Sequence, residues 1–196
     1  MLGRLRGVGS GTRIGVFILT MRILKIHTHY KQPGGEDQSH AAEVALLRVK
    51  GHDVIQITWH NDQLDELNAS KQALMTVWNH SVYRELSSLL RDKRPDVAHI
   101  DNTFPYASPA VIRAVKSAKI PLVMSLRNYR LMCANALLFR NGRICEACVG
   151  RLPWRSVLYG CYRESKAASA VVTAMLGVHR AIGTWRLVDQ FIALTD

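Results

Sequence analysis

Short apolar runs alternate along the chain with longer segments in which apolar residues recur at helical spacing. Segment 22–27 is rich in aliphatic residues and predicts a buried strand, and segment 32–35 predicts a turn after it. A helix would begin near 37–39 and end at Gly51. One apolar face of this helix is predicted at Ala41, Val44 and Ala45. The chain therefore opens with a strand, a glycine loop and a helix.

The same alternation continues to the end of the chain. Further strands are predicted at 53–58, 96–100, 120–126 and 190–194. Further helices are predicted near 74–91, from Pro109 to Lys119, and at 164–182. Nearly continuous apolar strands joined by helices imply a parallel sheet that is covered on both faces. The expected fold class is α/β, a Rossmann-like doubly wound parallel sheet in a single domain.

Two segments fall outside this alternation. Residues 1–20 combine a basic start with a short apolar run at 14–19, which is too short for a secretory signal and lacks a cleavage site. We predict a disordered extension there, or a start codon upstream of the natural Met21, and a domain over 21–196. Segment 128–163 breaks the rhythm of strands and helices and is predicted to be a long functional insertion.

The charge of the chain favours anionic partners. Lys and Arg number 26 against 15 Asp and Glu, which gives a formal net charge of +11. Between Asn102 and Arg163 the only acidic residue is Glu146. No nucleic-acid motif accompanies this charge, so nucleic acid is not an expected partner. No stretch approaches the roughly 20 apolar residues of a membrane span, so we expect a cytoplasmic protein. The inner membrane face is a further expected partner, which the protein would contact peripherally.

The loop after the first strand is one candidate site, because ligands of open parallel sheets bind at the carboxyl ends of strands. Gly34 and Gly35 precede a predicted helix and could bring backbone N–H groups close to a phosphate. An ordinary turn from strand to helix explains the same two glycines. The G-x-G-x-x-G fingerprint of dinucleotide-binding proteins does not occur here, so dinucleotide binding has weak support.

The loop after the third strand is a second candidate. Asp101 and Asn102 stand at the end of this strand, and His99 lies within it. A histidine in a strand is more often a hydrogen-bonded core residue than a catalyst. Asp101 could act as a base or bind a sugar hydroxyl, with a helix cap or turn as the alternative. Asn102 is a candidate ligand contact beside it.

The predicted insertion holds all four cysteines of the chain, namely Cys133, Cys145, Cys148 and Cys161. The central pair has the C-x-x-C spacing of zinc ligands, and the outer two flank it at similar distances. Only one C-x-x-C is present, so a structural zinc and unpaired buried thiols are the two leading alternatives. Disulfides or redox chemistry are the third.

Several motifs occur in a characteristic order. They are Met21-Arg-Ile-Leu-Lys-Ile-His27 followed by Pro33-Gly-Gly-Glu36, then Gly51-His-Asp-Val54 and Asp96-Val-Ala-His99. They continue with Asn128-Tyr-Arg-Leu-Met-Cys133, Phe139-Arg-Asn-Gly-Arg143, Cys145-x-x-Cys148 and Cys161-Tyr-Arg163. In these motifs the chain resembles the amino-terminal domain of glycosyltransferase family 4, the retaining enzymes of the GT-B fold. The second set resembles a subgroup with a cysteine-containing insertion, and the resemblance covers residues 21–196.

The resemblance implies sugar transfer from a nucleotide-sugar donor to a sugar or lipid-linked acceptor, without a catalytic metal or other required cofactor. Gly34 and Gly35 match the family's glycine loop near the donor diphosphate, and Arg127 and Arg130 would supply positive charge to an anionic ligand. Asp101 stands where the family often has a histidine, which changes the available hydrogen bonds. The carboxy-terminal GT-B domain that holds the nucleotide is not found in residues 21–196, so we expect this chain alone to be inactive.

A second hypothesis belongs to a different class of protein. The basic charge and the cysteines are also typical of a non-catalytic binding module, stabilised by zinc, for an anionic ligand or a membrane surface. Zinc that is lost when Cys145 or Cys148 is changed to Ser would support the ligand assignment.

Overall fold

The computed structural model describes residues 20–194. The predicted extension at 1–20 therefore lies outside the described residues, apart from Thr20. Within the described range, none of the helices combines the length and the apolar character needed to cross a membrane.

An all-parallel sheet forms the centre of the protein. The described residues form seven strands, five of which belong to this sheet: β1 (Arg22–His29), β2 (Asp53–His60), β3 (Val97–Ile100), β4 (Leu122–Leu126), β5 (Phe139–Arg140), β6 (Arg143–Ile144) and β7 (Gln190–Ala193). The main sheet has five strands in the order β2-β1-β3-β4-β7, while β5 and β6 form a separate antiparallel hairpin. The predicted α/β, Rossmann-like doubly wound fold is thus confirmed.

Helices cover both faces of this sheet. They are α1 (Gly35–Val49), α2 (Ala69–Val77), α3 (His80–Lys93), α4 (Ala110–Ser117), α5 (Arg155–Tyr159) and α6 (Lys166–Ala181). One face of the sheet is apolar and packs on α3 and α4 through Leu24, Ile26, Ala98, Ile100, Val82, Leu86 and Val111. Because side chains alternate along a strand, the intervening residues Lys25, His27 and His99 lie on the opposite face, where α1 covers β1.

The predicted helix near 74–91 is wrong in one respect, because two helices occupy this segment. Helix α2 ends at Val77, Trp78 is extended, and Asn79 caps α3 by accepting a hydrogen bond from Val82 N at 3.2 Å. The Asn79 amide also donates to Tyr106 O at 2.8 Å. Asparagine favours caps over helix interiors because its side chain competes for backbone groups.

The predicted apolar face of α1 is confirmed for Val44 and wrong for its other two residues. Ala41 and Ala45 are exposed, whereas His40 and Val44 are the buried residues of this helix. The helix begins at Gly35, earlier than expected, and Asp37 lies in its first turn, where it accepts a hydrogen bond from Gly34 N at 2.8 Å. The β1 face beneath the helix is polar, so the polar residues of α1 turn inward.

The segment predicted as an insertion packs over the carboxyl edge of the sheet. It contains the β5–β6 hairpin and the short helix α5. A second apolar cluster, formed by Phe104, Ala134, Val172, Met175 and Leu176, joins this segment and α6 to the loop after β3. The segment is therefore packed against the domain at the edge where the candidate site lies.

Candidate functional site

The predicted site residues follow three neighbouring strands at the same edge of the sheet. Gly34 and Gly35 come after β1, Asp101 and Asn102 after β3, and Arg127 and Arg130 after β4. Strand β1 is hydrogen-bonded to β2 on one side and to β3 on the other, so the strand order reverses between β1 and β3. In doubly wound sheets this reversal opens a crevice at the carboxyl ends of the strands, where ligands bind.

Asp101 lies at the centre of a buried network of charges. Its Oδ2 accepts hydrogen bonds from Lys25 Nζ at 2.7 Å and from His40 Nδ1 at 2.6 Å. Lys25 is fully buried and also donates to Glu43 Oε2 at 2.8 Å. Arg127 pairs with Glu43, and its Nη2 lies 3.6 Å from Asp101 Oδ1. Two cations and two carboxylates therefore balance one another beneath the crevice.

The network keeps its carboxylates ionised. Burial by itself would raise the pKa of Asp101, but the hydrogen bond from His40 and the charge of Lys25 outweigh it and hold that pKa below its ordinary value. For Glu43, burial is likewise outweighed by the hydrogen bond and charge of Lys25, and its pKa is lowered. A general base works best with a pKa near the working pH. Asp101 is therefore suited to accept hydrogen bonds more than to take up a proton.

His99 connects this network to β4. Its Nδ1 lies 3.0 Å from Lys25 Nζ, and its Nε2 lies 2.8 Å from Ser125 Oγ. An ammonium group can only donate, so Nδ1 accepts and the neutral ring carries its proton on Nε2. Burial and then the charge of Lys25 lower the pKa of His99. This geometry fits the interpretation of His99 as a hydrogen-bonded interior residue.

A small cavity opens beside the network. Its polar lining includes Asp101, Asn102, Ser125, Arg127 and Arg130. Two buried atoms, Asp101 Oδ1 and Arg127 Nε, have no hydrogen-bond partner among the described residues. One is an acceptor and the other a donor. A hydroxyl group that reached both atoms could donate to the first and accept from the second.

Two of the predicted ligand contacts already bond within the chain. Asn102 donates to Thr28 O at 2.8 Å and accepts from Phe104 N at 3.0 Å, so its side chain fixes the loop after β3. The guanidinium of Arg130 lies over the ring of Phe104, 4.1 Å from its centroid, and donates to Ala134 O. Burial lowers the pKa of Arg130. Both residues line the cavity, but their polar groups mainly bond within the chain and so fix the shape of the cavity wall.

The glycine loop has room for larger residues. A Cβ at Gly35 would meet no other atom within 4 Å, and one at Gly34 would meet only Asp37 Oδ2 at 4.0 Å. Gly34 has an extended φ of −127°, which any residue adopts. Glu36, in the same turn, accepts hydrogen bonds from Tyr30 and from Asn128 at 2.7 Å. The fold does not require either glycine, and acidic side chains already occupy the helix terminus where a phosphate would bind.

Three residues of the network were not predicted from the sequence: Lys25, His40 and Glu43. A signal for them exists, since Lys25 interrupts an aliphatic strand and is followed by polar residues at every second position. On α1, residues 37, 40 and 43 are three apart and share one side of the helix. The two-residue spacing of polar side chains in β1 and the three-residue spacing in α1 together predict a polar contact between these two elements.

The four cysteines are free and affect one another electrostatically. Burial and then the neighbouring Cys133 raise the pKa values of Cys148 and Cys161. Sulfur ligands of a tetrahedral zinc are about 3.8 Å apart. Among residues 20–194, the sets of three His, Cys, Asp or Glu ligand atoms within 4.8 Å of one another include no thiol. Zinc binding would require the thiols to move closer together, and the structural zinc stays a prediction.

Comparison of the sequence with protein families and curated proteins identifies no relative. No protein-family model matches the chain, and no curated protein has a significantly similar sequence. The functional assignment therefore depends on the geometry at the carboxyl edge of the sheet and on the motif resemblance.

Proposed function

We propose that this chain is the acceptor-side domain of a retaining glycosyltransferase similar to family 4, and that it acts together with a nucleotide-sugar-binding domain. The observation that carries the proposal is the pair of buried atoms without a hydrogen-bond partner within residues 20–194, Asp101 Oδ1 and Arg127 Nε, on two side chains that line the cavity at the carboxyl ends of β3 and β4. This pair has the hydrogen-bonding capacity of a hydroxyl site, and ligands of open parallel sheets bind at the carboxyl ends of strands.

The roles of the residues follow from their bonding. Asp101, held ionised, would accept a hydrogen bond from a sugar hydroxyl, and Arg127 would donate to it. Lys25 and Glu43 act as positioning residues, since each fixes one of these two side chains. The motif resemblance places the donor diphosphate near Gly34 and Gly35, where the fold leaves space beside the backbone but Glu36 and Asp37 lie in the same turn. The acceptor would be a sugar or a lipid-linked sugar, in keeping with the motif resemblance.

A second candidate is a non-catalytic binding module for an anionic ligand. One observation favours it: the chain carries a formal net charge of +11, which attracts anions. Such a module would hold its ligand without assisting bond cleavage. The two candidates differ in what they recognise, because the transferase needs a sugar and the binding module needs only negative charge.

Amide NMR titrations of the full chain separate the two candidates. The probes are inorganic phosphate, UDP and a panel of UDP- and GDP-sugars. The transferase predicts shifts near Gly35 with the diphosphates, and shifts near Asp101, Ser125 and Arg127 only when a sugar is present. The binding module predicts that phosphate alone shifts the same loops and that the sugar adds nothing.

Matched variants make the test specific. Arg127→Gln removes the donor in the cavity, whereas Arg186→Gln removes the same charge at an exposed position. Only the first should abolish the shifts that depend on the sugar. Calorimetry of the chain joined to a matching nucleotide-sugar-binding domain then tests the complete cleft, and the absence of binding by every nucleotide sugar would count against the transferase.

A further inference from the structure

Three groups of side chains in the described part of the chain bring potential metal ligands together. They are His27, His29 and Asp37; His27, His40 and Asp101; and Glu43, His99 and Asp101. The last two groups share Asp101, which already binds the ammonium of Lys25 at 2.7 Å. In the third group Lys25 also contacts Glu43 and His99. A protein cation therefore occupies the third group, and in the second group Asp101 Oδ2 is already bonded to both Lys25 Nζ and His40 Nδ1.

The first group has no such cation. Asp37 contacts the two histidines, and no Lys or Arg pairs with it among residues 20–194. Asp37 Oδ1 lies 2.8 Å from His27 Nε2 and 3.0 Å from His29 Nδ1. Two imidazoles and one carboxylate thus converge on one point at the carboxyl end of β1.

We propose that His27, His29 and Asp37 form a binding site for a divalent transition-metal ion that takes octahedral coordination, such as Fe²⁺ or Co²⁺. Neighbouring ligands of an octahedral ion are about 3.0 Å apart when bonds of about 2.1 Å meet at right angles. The two separations from Asp37 Oδ1, which are hydrogen-bond lengths, match this spacing, and all three ligand atoms lie within 4.8 Å of one another. Two histidines and a carboxylate occupy one side of such an ion and leave its other positions open to water or a ligand.

The three ligands are held in place by the surrounding structure. His27 and His29 are two residues apart on one strand, so they lie on the same face of the sheet. The second carboxylate oxygen of Asp37 accepts a hydrogen bond from Gly34 N, and the ring of His27 stacks on that of His40, 4.6 Å between centroids. The hydrogen bond from Gly34 N is an outer contact of the kind that orients a metal ligand, whereas His27 Nδ1 has no hydrogen-bond partner among residues 20–194.

The site is open to solvent on one side. The side chain of His29 is 35% exposed, while those of His27 and Asp37 are 0% and 10% exposed. An ion could therefore enter past His29. A bound cation would also add positive charge next to the glycine loop, where Glu36 and Asp37 otherwise repel anions. This site goes beyond the proposed sugar transfer, which requires no metal.

Titration of the full chain with Co²⁺, followed by visible absorption and calorimetry, tests the proposal. We expect one Co²⁺ per chain, with the d–d absorption of nitrogen and oxygen ligands and without a thiolate-to-cobalt charge-transfer band. His29→Ala and Asp37→Asn should each weaken binding at least about tenfold. His80→Gln removes an exposed histidine on α3 and should leave binding unchanged. Circular dichroism checks that every variant is folded.

Three different outcomes would overturn the proposed metal site. Binding that shows the thiolate band assigns the ion to the cysteines and overturns the proposal, as does the absence of binding. If folded His29→Ala and Asp37→Asn both bind Co²⁺ as tightly as the original chain, the ion lies elsewhere and the assignment is wrong. None of these outcomes depends on sugar binding, so the proposed function is tested separately.

Discussion

Leu24 and Lys25 are neighbours in β1 and are both fully buried, but they lie on opposite faces of the sheet. Leu24 belongs to an apolar layer between the sheet and α3 and α4. Lys25 belongs to a charged layer between the sheet and α1. Burying a Leu or Ile side chain stabilises a fold by about 1.5–3 kcal/mol, whereas buried ion pairs often contribute nothing net. The apolar face therefore contributes most of the net stability, whereas the ion pairs of the charged face mainly fix the positions of its side chains.

The largest effect is expected on the charged face. Lys25→Met leaves Asp101 and Glu43 without their shared cation, and breaking a buried pair in this way costs about 3–5 kcal/mol. Urea unfolding would measure the loss. Adding Asp101→Asn to this variant should restore part of the stability, because Glu43 keeps Arg127 as its partner and no carboxylate is then left without a cation. An unchanged midpoint for Lys25→Met would mean that the network is not formed in solution.

The apolar face supplies the matching test. Leu86 is fully buried against the sheet, and Leu86→Ala should cost about 2–5 kcal/mol because it leaves a cavity. This loss should be the same at low and high salt, since no charge is involved. A loss that depends on salt would show that the two layers are coupled, contrary to the separation described above.

Acid should weaken the charged face selectively. The pKa of Asp101 in the folded protein lies below its value in the unfolded chain. Its ionisation therefore stabilises the fold above the unfolded pKa, and this stability is lost as the pH falls through the folded pKa. Asp101→Asn should cost about 1–3 kcal/mol at neutral pH and flatten the acid limb of the stability curve. An acid limb as steep as that of the original chain would assign the effect to other carboxyl groups.

The glycine loop should give the smallest effect on stability. Gly35 is the first residue of α1, and a Cβ there meets no neighbour. Gly35→Ala should therefore stabilise the fold by about 0.4–1 kcal/mol, since alanine restricts the unfolded chain. The same variant should reduce the NMR shifts caused by UDP if the diphosphate approaches the backbone there. Unchanged shifts would favour the ordinary turn.

The fold was predictable because short, mainly apolar strands alternate along the sequence with longer helical segments. That pattern located β1, β2, β3 and β4 to within about two residues. It failed on α1, because only apolar spacing was considered and the buried side of that helix is polar. It also failed at Trp78 and Asn79, where a side-chain cap divides one apparent helix into two.

The candidate site was only partly predictable. Strand ends located Asp101 and Arg127, since the carboxyl ends of parallel strands share one edge of the sheet. The pairing of Lys25 with Asp101 joins residues far apart in the sequence, and no local pattern specifies such a contact. The loop-fixing role of Asn102 and the stacking of Arg130 on Phe104 depend on how the loops fold back, which spacing alone does not determine.

The parallel arrangement of the main sheet has a consequence for how the protein forms. Each pairing in that sheet joins strands separated by a crossover, and none of its strands pairs through a tight turn. Loop closure must therefore precede every favourable strand contact, which slows folding compared with helical bundles of similar size. Strand β1 needs both β2 and β3 beside it, so its charged residues would stay in water until β3 has been synthesised and has docked.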